Sequence, residues 1–414
     1  MKNNSVLANK LVGEIPKDWS YINFKDVYGK PIRDFGSFST TKLITFLDDG
    51  IPFLKSEMIK EGSIDWTNTY YISEKVHKLL NKSYVEKDTI LFSKIGSALG
   101  KAVVYDGEKG VCNSNAAIAK ITLNEKIADK YYYTYILNNS LAKKQFLRLI
   151  VSLLPRINLG DISDLLLPLP PLPEQQKIAK ILTTWDKAID TTERLIDNSK
   201  QQKKALMQQL LTGKKRLLDE NGKRFEGEWE KVKLKECAIS LDNKRVPLNS
   251  TERQSMQGNI PYWGANGIQG YIDKYIFDEP IVLLAEDGGN FNEFSTRPIA
   301  NISYGKAWVN NHAHVLKAKS NTITEWLYYS LVHKNILAFV NGGTRAKLNK
   351  GDMLLIPILL PPLEEQQKIA AVLTNADKEI ELLEQQLADL QQEKKALMQV
   401  LLTGKKRVRI DEIV

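Results

Sequence analysis

The sequence predicts an α+β chain: two mixed α/β globules joined and separated by two long antiparallel coiled-coil helices, with pseudo two-fold symmetry. Three observations lead there. The phrase PLPEQQKIA at 171–179 returns as PLEEQQKIA at 362–370, and KKALMQQLLTGKKR from Lys203 returns as KKALMQVLLTGKKR from Lys394, both at an offset of 191 residues. A long repeat without insertions marks a duplicated structural unit whose length matters. Between the phrases, apolar residues recur at alternating steps of three and four, and upstream of each copy lies a segment of short β-type runs and glycine loops.

Taken in order, residues 1–168 form the first globule, with the β-type runs TILFSKIG, KAVVYDG and AAIAKITL followed by the helical stretch KYYYTYILNNSLAKKQFLRLI. Residues 169–213 form the first spacer helix. Prolines precede it, Glu174 sits in its first turn, and Gly213 follows LLT as a left-handed cap. Its seam runs through Ile178, Leu182, Trp185, Ile189, Thr192, Ile196, Ser199, Leu206 and Leu210. Residues 214–358 form the second globule, with PIVLLAEDGG, KAWVNN and HAHVLKA before ITEWLYYSLVHKNILAFV. Residues 359–404 form the second spacer, with the stricter seam Ile369, Leu373, Ala376, Ile380, Leu383, Leu387, Leu390, Leu397 and Leu401, and 405–414 form a basic tail. Each spacer, at about 40 residues, is expected to span roughly 60 Å. Lys203 and Lys394 occupy the one seam position left charged, a device that fixes register at some cost in stability.

The globules match each other loosely: Trp19 with Trp229, Ile51 with Ile260, Asn113 with Asn310, and Asn158, Gly160 and Asp161 with Asn349, Gly351 and Asp352. The offset drifts from 210 to 191 along the globules, so insertions are tolerated there and nowhere in the helices.

Composition is that of a globular protein, 43% hydrophobic and 26% charged over 414 residues. A formal charge of +9 suits a polyanionic partner, nucleic acid first. The first residues hold no apolar signal core, no stretch is long and apolar enough to cross a bilayer, and Cys112 and Cys237 form no CxxC pattern, so a reducing cytoplasm is expected. No phosphate-binding G-x-x-x-x-G-K-[ST] loop and no [DNS]-P-P-[YF] tetrapeptide is present, and His312 and His314 have no further ligands at metal spacing. The expectation is a binding protein without catalytic residues, cofactor or metal.

The doubled P-L-x-E-Q-Q-K-I-A phrase, the doubled K-K-A-L-M-Q-x-L-L-T-G-K-K-R phrase and the stretch WGANGIQGYID at 263–273 resemble the specificity (S) subunit of type I restriction–modification enzymes, over essentially the whole chain. The resemblance implies that each globule is a target recognition domain reading one half of a split site in double-stranded DNA. It also implies that the helices set the half-site spacing, that two methyltransferase (M) subunits dock on them, and that restriction–translocation (R) subunits complete the complex. The helix starts carry the partner-binding candidates Glu174, Gln175, Gln176, Glu365, Gln366 and Gln367. Base and phosphate contacts need Arg, Lys, amide or hydroxyl side chains on exposed loops. Those candidates are Lys55, Ser56, Lys94, Ser97, Lys101, Asn113, Asn115 and Arg156 in the first globule. In the second they are Tyr262, Asn266, Asn290, Asn310, Asn311, Arg345 and Lys347. Two other readings fit parts of the pattern: a protein-only coiled-coil adaptor, and the recognition part of a self-sufficient restriction–methylation enzyme.

Overall fold

The computed structural model describes residues 14–36, 42, 44–148, 155–342 and 346–410; Arg345 lies outside them. The chain divides into two compact units, residues 1–191 with 387–414, and residues 192–386. Both long helices run 39 residues, Leu172–Leu210 and Leu363–Leu401. Each therefore gives its first half to one unit and its second half to the other, so the units do not follow the globule–spacer boundaries read from sequence.

The first unit is built around the strand Thr89–Ser93, flanked antiparallel by Ala102–Tyr105 and Ile118–Ile121. All five of its residues are buried, because alternate side chains point into two different cores. Ile90 and Phe92 pack against Tyr132, Tyr133 and Ile136 of the helix Lys130–Asn138, while Leu91 packs with Leu54, Val85 and Cys112 of a second sheet. That second sheet holds Ile51–Leu54 antiparallel to Tyr70–Ile72 and parallel to Cys112–Ser114. The second unit repeats the plan. Ile281–Ala285 sends Val282 and Leu284 to one core and Ile281 and Leu283 to another, and Gln257–Gly264 pairs antiparallel with Gly267–Ile272 and parallel with Lys306–Val309. A two-stranded ribbon leads into each long helix, Ser20–Asn23 with Leu166–Leu169 and Glu230–Lys233 with Pro357–Leu360.

Within each unit the start of one long helix packs against the end of the other. Ile178 and Leu182 share a core with Leu397, Leu401 and Leu402 in the first unit, and Ile369 and Leu373 share one with Leu206, Met207 and Leu210 in the second. The expected seam positions are buried or half-buried throughout. The two seam lysines are neutralised in the same way. Lys203 pairs with Asp377, which also accepts a hydrogen bond from Tyr329 Oη at 2.6 Å, and Lys394 pairs with Asp186, which accepts from Tyr135 Oη.

The repeated phrases explain each other. Glu174 is fully buried and accepts from Trp19 Nε1 at 2.9 Å and from Arg407 Nε and Nη2 at 2.7 and 2.8 Å. Glu365, equally buried, accepts from Trp229 Nε1 at 2.9 Å and from Arg216 at 2.6 and 2.7 Å. The glutamate of one copy is thus clamped by the arginine that ends the other copy's second phrase. Gly213 and Gly404, both at φ +69°, turn the chain so that this arginine can reach back. The next residue fastens the globule. Gln175 donates to Ile127 and Pro170 carbonyls at 3.0 and 2.9 Å and accepts from Asp129 N, and Gln366 donates to Asn321 and Pro361 carbonyls at 3.1 and 2.8 Å. Glu174, Gln175, Glu365 and Gln366, expected to bind partners, are instead spent inside the chain, since a buried polar group must find its partners there. Gln176 and Gln367 are exposed.

Glu365→Ala leaves Arg216, whose side chain is 16% exposed, without its counter-charge. It is expected to lower the stability of the protein by about 3–5 kcal/mol, read as a drop in the thermal unfolding midpoint.

Candidate nucleic-acid interface

The parallel strand pair fixes the same site in both units. In the first, the chain leaves Cys112–Ser114 so that Asn115 N–H donates to Leu54 O at 2.8 Å while its side-chain oxygen accepts from Ala117 N at 3.2 Å. In the second, Asn310 N–H donates to Trp263 O at 3.0 Å and its side-chain oxygen accepts from His312 N at 2.8 Å. Asn115, not Asn113, is therefore the counterpart of Asn310. Both first-unit asparagines lie in the run NSN, and spacing alone does not choose between them.

A concavity lies beside each of these turns. The first unit's, of about 220 Å³, is lined by Phe35, Ile44, Phe46, Phe53, Lys55 and Asn115. Lys55 Nζ sits 3.3 Å from the Tyr70 ring centroid and 4.7 Å from that of Phe46. The second unit's is larger, about 360 Å³, and polar, lined by Tyr262, Asn266, Asn310 and Asn311 together with Arg253, Gln269, Asp287 and His312. The Arg253 guanidinium stands 5.1 Å from the Tyr262 ring centroid. Each hollow thus combines a cation over an aromatic ring with a turn asparagine, a set suited to contacts with bases and phosphates. Sequence reading missed Phe46, Tyr70, Arg253 and Gln269. Arg253 lies in the polar helix Ser250–Ser255, for which the first globule shows no matching phrase, and Tyr70 reads as an ordinary strand residue.

Several candidates belong elsewhere. Lys94 is 3% exposed and pairs with Asp34 at 3.1 Å. Its counterpart, Glu286, takes the opposite charge and pairs with Arg245 at 2.7 Å and Lys347 at 3.2 Å. The position ties a strand end to a neighbouring loop, and the Lys94 ammonium is spent on that buried pair. Asn113 is buried and donates to Leu80 O at 3.1 Å, which removes it from the surface. Tyr262 is 2% exposed and Asn310 3%, so both shape the hollow more than they reach out of it. Asn290 is half-buried and donates to Pro298 O at 3.2 Å. Ser97, Arg156, Asn266, Asn311 and Lys347 are exposed, and Lys55, Ser56, Lys101 and Asn115 are half-buried. Gly96 N–H donates to Pro155 O at 3.2 Å, which brings the Ser97 turn beside Arg156. His312 and His314 serve separate carboxylates, Asp287 at 2.6 Å and Asp242 at 2.7 Å.

These elements define a class: duplicated mixed α/β recognition modules, each mounted on a pair of clamped helices. The model of the type I restriction modification DNA specificity domain matches residues 16–200 and 226–392, and the chain belongs to that family. It is 28% identical over 428 residues to the type I restriction enzyme MjaVIII specificity subunit of Methanocaldococcus jannaschii, covering 95% of this chain and 94% of that one. In fold it resembles the type I restriction–modification S subunit from M. genitalium, with a TM-score of 0.62, 16% identity, and coverage of 95% of this chain and 98% of that one. A chain from a study of type I assembly and conformational transition gives a TM-score of 0.54 at 16% identity, over 95% and 100% of the two chains.

Lys120 lies beneath the first unit's site, 1% exposed, donating to Ser114 Oγ at 3.1 Å. Burial, with the nearby Arg33 charge, pushes its ammonium down to about 7. Unfolded, the same group titrates near ~10.4, so between these values the unfolded chain binds one more proton and stability rises with pH. Lys120→Met is expected to raise the thermal midpoint at pH 7, with the gain shrinking as pH approaches ~10.

Proposed function

We propose that this chain is the non-catalytic DNA-recognition subunit of a type I restriction–modification assembly, with each unit reading one half of a bipartite site in double-stranded DNA. The observation that carries this reading is the recurrence of one hollow, at one place in the strand ladder, with different linings in the two units. Equivalent position with divergent chemistry is what two readers of different half-sites require. The surplus of 58 Lys and Arg over 49 Asp and Glu supports a polyanionic partner.

The long helices set the half-site spacing and dock two methyltransferase subunits, with the exposed Gln176 and Gln367 among the docking residues and restriction subunits joining the full complex in the cytoplasm. The adaptor reading and the self-sufficient enzyme make opposite demands. The purified chain is expected to retard duplex DNA with an affinity that falls steeply with salt, and to transfer no methyl group when given S-adenosylmethionine alone. A chain that binds no DNA at low salt is a protein adaptor; one that methylates unaided is an enzyme.

Replacing residues 217–358 with the same segment of a relative, in cells that supply the methyltransferase subunit, is expected to change one half of the methylated motif and leave the other intact. A swap that alters both halves contradicts the assignment of one half-site to each unit.

A further inference from the structure

The polar hollow of the second unit contains a cationic donor, Arg253, with no acceptor among the described residues. Asp287 is held by His312 at 2.6 Å, Asn266 donates to Gly288 O at 2.9 Å, and Asn310 donates to Gln269 Oε1 at 3.3 Å. Arg253 differs from these neighbours. Its Nε is buried and makes no hydrogen bond, and its guanidinium forms no ion pair with any described residue. Its guanidinium carbon stands 5.1 Å from the centroid of the buried Tyr262 ring, a cation–aromatic contact at the edge of the hollow. Gly264 leaves room for the Gln269 side chain that lines the hollow, since a Cβ there would meet Gln269 Nε2 at 2.2 Å. A guanidinium held over a ring, with no acceptor among the described residues, is poised for a ligand that supplies two acceptors in one plane.

We infer that Arg253 is a specificity-determining residue of the second half-site and reads a guanine through its N7 and O6 in the major groove. This rests on the DNA-recognition reading above. Guanine is the base edge that offers two adjacent acceptors with no donor between them, which matches a side chain that can only donate. Phosphate is the competing acceptor, but the hollow is concave and lined by the amides of Asn266, Gln269, Asn310 and Asn311, which suits a base edge. Among the described residues the first unit's hollow is mostly apolar, and its cation, Lys55, carries a point charge over Tyr70 instead of a planar fork. The contact is therefore assigned to the second half-site.

The test maps methylation genome-wide in cells that carry the methyltransferase subunit with the wild-type chain, Arg253→Ala or Arg253→Lys. Both variants are expected to leave the first half-site intact and to relax one G·C position of the second, with discrimination there falling on the order of ten- to a hundred-fold. If the alanine variant fails to fold, the lysine variant, which keeps the charge and loses the fork, decides alone. Purified complexes add a second readout, the salt dependence of binding. A uniform loss across sequences with a salt slope shallower by about one identifies a phosphate contact and overturns the guanine assignment. A motif that both variants leave unchanged overturns it too. A wild-type complex that leaves no bipartite motif overturns the recognition reading, and this inference with it.

Discussion

A buried carboxylate at the start of each long helix holds the rest of each unit in place. Glu174 and Glu365 are both wholly removed from solvent, and each is met by an indole N–H from the globule and a two-pronged arginine from beyond the other helix. Two planar groups that must meet edge to edge leave little freedom in angle or distance. The ion pair fixes where the helix starts, where the other helix ends and how the ribbon from the globule enters. An inserted residue in either phrase would move one partner along the helix by about 1.5 Å and round it by about 100°. That is a physical reason why both helix phrases keep one offset, 191 residues, in a chain whose globules drift freely.

Charge inside the globules follows a looser rule, and the difference is informative. Lys94–Asp34 and Arg245–Glu286 occupy corresponding strand ends with their signs exchanged. What is kept is a neutral pair linking strand to loop, because an unpaired ion there would be strongly destabilising. The hollows next to these pairs keep their place and change their lining. The framework is thus conservative in geometry and permissive in chemistry at the surface it presents, as suits modules that share a fold and bind unlike half-sites.

Much of this was legible in the chain. The heptad steps gave the two helices and the three-four seam, the doubled phrases gave the duplication, and Trp19 matched Trp229 for the reason the clamp now supplies. Other features could not be read because the sequence carries no record of direction. The phrase E-Q-Q reads as an exposed polar face, yet its first two residues point into the globule and only the third faces water. KIGS reads as a basic glycine loop, although the lysine lies under the loop against Asp34. The asparagine pair was misassigned by two residues because the strand register, not spacing, decides which one turns the corner. Arg253 escaped notice since what sets it apart is a buried Nε with no hydrogen bond among the described residues and a ring nine residues away.

The central claim is that the helices, with each recognition unit clamped to them, set the distance between half-sites. Four residues inserted in each long helix, after Thr191 and after Gln386, leave every contact within the two units as it stands and lengthen each helix by roughly 6 Å. Four residues also nearly restore the face of the seam, as a stutter does. Methylation mapped in cells supplying the methyltransferase subunit should show both half-sites unchanged and the unread gap longer by about one or two base pairs, at ~3.4 Å each. A fully active variant with the original gap would contradict the claim.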